Sequence, residues 1–145
     1  MGIEHVTCLL NSNLASQDSC ERVCRVTGGA VSSVEYGETE IEVRCSHADG
    51  VFVVIIRHGR IEMRYAVCNP PASDAWFLQS CRRVAASLQT SGLVLGASEQ
   101  AGLDDHAAAM AIIARERQSW IAIFGPCELA LTPRQAVKWI QTREF

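Results

Sequence analysis

Cysteine and histidine are the residue types in this chain that could do chemistry, and Cys45, His47, His58 and Cys68 have the side chains of a zinc set. Zinc ligands must converge at about 2.0–2.3 Å from the ion. Cys45 and His47, two apart on a strand, share a face and offer two ligands. Cys68 has the opposite parity. His58 lies six residues along the next strand from Phe52, the residue expected opposite His47, on the order of 20 Å away at about 3.4 Å per residue. No metal site is expected from these four. His47 is expected at the core edge, and His58 in a turn.

Cys20 and Cys24 are four apart and share a helical face, as half a metal site or a redox pair would. Their spacing is not that of Cys-x-x-Cys, and small buried thiols are the commoner outcome. His106 follows Asp104 and Asp105 near a helix start and is a weak candidate for a general base. Adjacent helical positions do not face one another, so the two aspartates read equally well as dipole-favoured residues of a first turn. Cys81 lies on an inward stripe, whereas a reactive thiol needs an electropositive, partly exposed setting. Gly96-Ala97-Ser98 lacks the second glycine of a nucleophile elbow, because position 100 is Gln. Gly28-Gly29 stands alone and cradles no phosphate. No catalytic residue and no cofactor are assigned.

Composition narrows the class. The 145 residues suit one domain, residues 1–145, and 48% hydrophobic with 20% charged content is globular. A net charge of −3 without a basic block argues against nucleic acid. No apolar run approaches the roughly 18 residues of a membrane span. Residues 1–7, Met-Gly-Ile-Glu-His-Val-Thr, have neither the basic and apolar regions of a secretory signal nor a myristoylation pattern. Seven cysteines of irregular spacing then read as reduced, cytoplasmic thiols. Lys138 is the single lysine among 13 basic residues, a bias suggesting GC-rich coding and a bacterial or viral source.

These residues are positioned by a recognisable order of elements. Val6 to Leu10 reads as a short strand. Asp18 and Glu21 form a capping box for a helix that ends at Gly28-Gly29. A four-stranded antiparallel meander over residues 31–67 follows, with two-residue turns at Gly37-Glu38, Asp49-Gly50 and His58-Gly59. These turns set Ile56 opposite Ile61, Val54 opposite Met63 and Phe52 opposite Tyr65. On the other side they set Phe52 opposite His47, Val54 opposite Cys45 and Ile56 opposite Val43, with Val34 opposite Ile41. Asn69-Pro70-Pro71 stops the sheet. A helix from Ser73 to about Thr90 carries Phe77, Cys81, Val84 and Leu88 inward. Leu93 to Leu95 reads as a strand, Leu103 to Arg117 as a helix, and Trp120 to Phe124 as a strand ended by Gly125-Pro126. Thr132-Pro133 opens a last helix, docked by Trp139 and Ile140. The fold class is α+β: the meander packed against helices, with one or two further short strands.

The meander leaves one anomaly. Val51 to Ile56 is apolar on both faces, although only one face needs to be core. With Phe52, Val54 and Ile56 inward, Val51, Val53 and Ile55 form an apolar stripe on the outer face. The expected rows across it are Arg44, Ile55 and Glu62, then Glu42, Arg57 and Arg60, then Ser46, Val53 and Arg64. Arginine stems, another helix of this chain, or another protein would each cover such a stripe. Candidate partner-binding residues are therefore Arg44, Val53, Ile55, Arg57, Arg60, Glu62 and Arg64. Trp76, off the apolar stripe of its helix, is either a further anchor or packed under the segment after Gly92. The expectation is a small soluble non-catalytic module that binds another protein as an immunity protein, chaperone or inhibitor does. A homodimer on the outer face is a further possibility. The alternative is a small enzyme, or small-molecule binder, with a pocket between sheet and helices.

Overall fold

Alternation of buried and half-exposed residues along His5–Asn11 (β1) and Ile41–His47 (β3) builds a sheet with one continuous core face. The structure, a computed structural model, describes residues 5–47 and 50–124. After β1 come helix Ser16–Thr27 (α1), strand Val31–Tyr36 (β2), β3, Gly50–Arg57 (β4) and Arg60–Ala66 (β5). Helix Asp74–Ser87 (α2), strands Gly92–Leu95 (β6) and Gln100–Gly102 (β7), and helix His106–Phe124 (α3) complete the described order. The fold is α+β. Among the described residues its antiparallel sheet has seven strands in the order β2-β3-β4-β5-β1-β6-β7, so β1 lies inside the sheet, hydrogen-bonded to β5 and β6.

The faces of the meander are as expected, but two of its three registers are not. Around His58-Gly59, Ile56 pairs with Ile61 and Val54 with Met63, as expected. Between β3 and β4, however, Phe52 pairs with Cys45, Val54 with Val43 and Ile56 with Ile41. Between β2 and β3, Val34 pairs with Val43. Both ladders are displaced by two residues because both turns move by one position. The first closes on Gly37 and Glu40. The second closes on His47 and Gly50, with Ala48 and Asp49 outside the described residues. A two-residue displacement preserves side-chain parity, so every core assignment survives it. Gly50 belongs to the strand and not to the turn. A Cβ there would stand 2.7 Å from Ser73 and 2.9 Å from the Asn69 carboxamide.

The helices share one core with the inner face. Phe52 meets Phe77 of α2 edge-on at 5.5 Å, and Tyr65 stacks on the same ring at 4.5 Å. Val23 of α1, Cys81 and Val84 of α2, and Ile113 and Trp120 of α3 join them. Gly28 ends α1 at φ 43°, as its glycine pair predicts. The Asp18–Glu21 box does not form, because the helix begins earlier, after Ala15. Residues Trp120 to Phe124 are helical, against expectation. Ala109, Ile113, Arg117 and Trp120 are all buried, and their spacing of four, four and three continues one helical stripe past Arg117. The breaks and last helix expected beyond residue 124, and the docking of Trp139 and Ile140, lie outside the described residues.

That stripe includes a buried charge. The Arg117 guanidinium donates to both Asp74 carboxylate oxygens, at 2.7 and 2.6 Å, and to the carbonyls of Val67 and Asn69, each at 3.2 Å. The Tyr65 hydroxyl donates to Asp74 at 2.6 Å and also contacts Ser73 Oγ. Asn69 carries the connection to β4: its side chain accepts from Val51 N at 2.9 Å and donates to the carbonyls of Val51 and Ala66. Burial opposes the Arg117 charge, but the Asp74 carboxylate outweighs it and holds the guanidinium protonated. Removing one partner of such a pair leaves an uncompensated buried charge. Arg117→Met is expected to cost about 3–5 kcal/mol in urea unfolding. Tyr65→Phe, which removes one hydrogen-bond donor from the cluster, is expected to cost about 1–2 kcal/mol.

Candidate functional site: the outer sheet face

Even-numbered residues of β3 and β5 and odd-numbered residues of β4 point away from the helices. The true pairing sets Arg44, Val53 and Arg64 in one row and Glu42, Ile55 and Glu62 in the next. Arg57 pairs with Arg60, and Ser46 with Val51. The expected grouping of Arg44 with Ile55 and Glu62 is thus corrected by the two-residue displacement. Seven of the eight candidate binding residues do come together on this face. The same rows extend across β1 and β6: Thr7 and Leu95 follow Arg64, while Leu9 and Leu93 follow Glu62.

Glu62 is the hub of the face. One carboxylate oxygen accepts from Arg57 at 3.2 Å and lies 2.6 Å from Arg60; the other accepts from Arg64 at 2.7 and 3.2 Å. Arg57 also donates to Glu40 at 3.0 Å. Glu62 is only 6% exposed. Burial alone would raise its carboxyl pKa, but the hydrogen bonds and charge of Arg64, then the charges of Arg60 and Arg57, outweigh burial and hold it below its ordinary value. Arg44 is used less well. It stands 3.6 Å from Glu42, and its buried Nε has no hydrogen-bond partner.

The stripe divides in two. Val51 belongs to the core cluster, while Val53 and Ile55 stand apart from it. They are nevertheless only 6% and 7% exposed. Two cavities open between charged side chains of this face. One, of about 210 Å³, has Val53 and Ile55 with Glu40, Glu42 and Arg64 around it. The other, of about 260 Å³, lies toward β1 and β6 between Thr7, Arg60, Glu62, Arg64 and Glu116. Further toward that edge Leu93 is 41% exposed. The inward layer beneath, where a pocket between sheet and helices was the alternative, holds the packed rings of Phe52, Tyr65 and Phe77.

The other candidates lie elsewhere. Trp76 is on the helical side, tilted against Phe52 at 5.0 Å and stacked on the exposed His47 at 5.5 Å. It therefore joins neither the outer face nor the segment after Gly92. His106 is exposed, and its Nδ1 lies 2.8 Å from an Arg82 guanidinium nitrogen. Asp105 caps α3 by accepting from Ala108 N, so it does not orient His106. His58 is exposed in its turn, whereas Cys45 and Cys68 are buried. Cys8, Cys20, Cys24, Cys45 and Cys81 are free thiols. Burial pushes the Cys20 thiol up to about 11 and Cys45 to about 12, and raises Cys81 well above its ordinary value. Among the described residues, no helix is long and apolar enough to cross a membrane.

Sequence reasoning missed Thr7, Leu9, Leu93, Leu95 and Glu116 as parts of this face. The alternation in β1 already marked Thr7 and Leu9 as facing away from Val6, Cys8 and Leu10. What it lacked was the placement of β1 beside β5, a long-range pairing. Compared with protein-family models, curated proteins and solved structures, the chain matches none.

The hub gives a signed pH dependence. A carboxyl depressed in the folded state stabilises above its unfolded value, and that contribution is lost as pH falls through the folded pKa. Glu62→Gln is expected to cost about 1–2 kcal/mol at neutral pH, because its arginines keep solvent contact. Its urea midpoint should also fall less than that of the wild type as pH drops below the ordinary value of 4.5. For the thiols, mass spectrometry after iodoacetamide treatment at mildly alkaline pH should find Cys45 and Cys81 unmodified until the protein is unfolded.

Proposed function

We propose that this chain is a non-catalytic protein-binding module that works through the outer face of its sheet. The observation that carries this reading is the segregation of the fold. The described helices pack their apolar stripes onto one face, and the other presents an apolar floor at Val53 and Ile55 inside a rim of paired charges. An apolar centre with an arginine-rich rim has the chemistry of a protein interface, and the cavities admit partner side chains to it. The titratable groups offer little to an enzyme: His106 is engaged by Arg82, and the thiols of Cys20, Cys45 and Cys81 are held protonated. The free thiols of Cys8, Cys20, Cys24, Cys45 and Cys81 suit a reducing, cytoplasmic compartment.

Affinity capture from the native host tests the reading. A protein retained by the wild-type chain should be lost with Ile55→Asp and with Arg64→Glu, each weakening binding by about tenfold or more. Arg25→Glu, exposed on α1, should leave binding unchanged. Equal retention by all three variants would remove the outer face from the function.

A further inference from the structure

We infer that the occupant of the outer face is a second copy of this chain, docked about a two-fold axis that lies across the strands. This rests on the reading of that face as a docking surface and names its partner. The argument is the charge order of its two central rows. Arg44, Val53, Arg64, Thr7 and Leu95 form one row; Glu42, Ile55, Glu62, Leu9 and Leu93 form the next. Position by position along β3, β4 and β5, the rows oppose base to acid, apolar to apolar, and base to acid.

A two-fold axis midway between the rows, parallel to them, exchanges one row for the other in the facing copy. Arg44 then lies over the partner's Glu42, Val53 over the partner's Ile55 and Arg64 over the partner's Glu62. At the far end Leu95 lies over the partner's Leu93, covering the most exposed leucine of the face. The same contacts recur in reverse, as an isologous interface requires. The other aligned arrangement, with the axis along β4, sets Arg44 over the partner's Arg64 and Glu42 over the partner's Glu62, pairing like charges. Self-complementarity therefore selects one orientation. It also keeps the strands of the two sheets nearly aligned, as face-to-face sheets prefer.

Arg44 is an independent pointer. Its partly exposed guanidinium stands 3.6 Å from Glu42 of its own chain, too long for a hydrogen bond. The partner's Glu42 would give that guanidinium its missing acceptor.

Light scattering of the full chain over a wide concentration range is the test, with circular dichroism to confirm folding. The wild type is expected to approach twice the monomer mass. Arg44→Glu and Glu42→Arg each place two like-charge contacts in the interface and should raise the dimer dissociation constant by about a hundredfold. Both side chains are partly exposed, so the fold should tolerate either change. An equimolar mixture of the two single variants should regain the dimer mass, because all four facing charges are then opposite. The double variant Arg44→Glu with Glu42→Arg should regain it alone. A wild-type monomer at every concentration, or a dimer indifferent to these reversals, overturns the inference. With a monomeric wild type, loss of a captured partner in Ile55→Asp would still uphold the face as a docking surface for a different protein.

Discussion

The buried Arg117–Asp74 pair ties together the parts that the sheet alone does not hold. Arg117 comes from α3 and Asp74 from the first turn of α2, while the Val67 and Asn69 carbonyls belong to the segment leaving β5. A buried guanidinium is tolerable only when its donors are matched, and here a bidentate carboxylate and two carbonyls match them. The cluster continues without a break into the sheet, because Asn69 bonds both backbone groups of Val51. That bonding begins where the β4–β5 ladder has ended, since the last pair on that side is Val53 with Arg64. A side chain thus takes over from a strand, and Gly50 must lack a Cβ for the Ser73–Asn69 segment to come so close.

Charge is handled differently on the two sides of the sheet. Inside, one arginine and one aspartate are withdrawn from water and satisfied one to one. Outside, three arginines converge on Glu62, in the row that holds Ile55 and beside the row that holds Val53. β4 is thus apolar on both faces without exposing a bare stripe, since Val53 and Ile55 are only 6% and 7% exposed. It also leaves a surface that is polar at its rim, apolar below and open at two cavities.

Much of the sheet was legible in the chain. Parity placed Phe52, Val54, Ile56, Ile61, Met63 and Tyr65 inward and gathered the outer arginines on one face. The error lay in where each turn closes. A two-residue loop moved by one position shifts its ladder by two residues and leaves parity untouched, so the hydrophobic pattern cannot detect it. That shift decided which charges share a row, and hence the charge order of the face. The strand expected at Trp120 failed for a related reason. A short apolar run has no reliable period of its own, and only the spacing of Trp120 from Ala109, Ile113 and Arg117 identifies it as the end of a helical stripe.

By itself the sequence determined the fold class, the faces of the meander and the doubly apolar character of β4, because side-chain parity and helical spacing are local properties of the chain. Tertiary structure alone decided that β1 lies between β5 and β6 and that Trp76 sits on the helical side. It also decided that Arg117 finds Asp74 forty-three residues away and that Val53 and Ile55 are almost wholly buried. Each of these depends on contacts between distant segments, whose partners are selected by packing and charge compensation in the assembled core and leave no periodic trace in the chain.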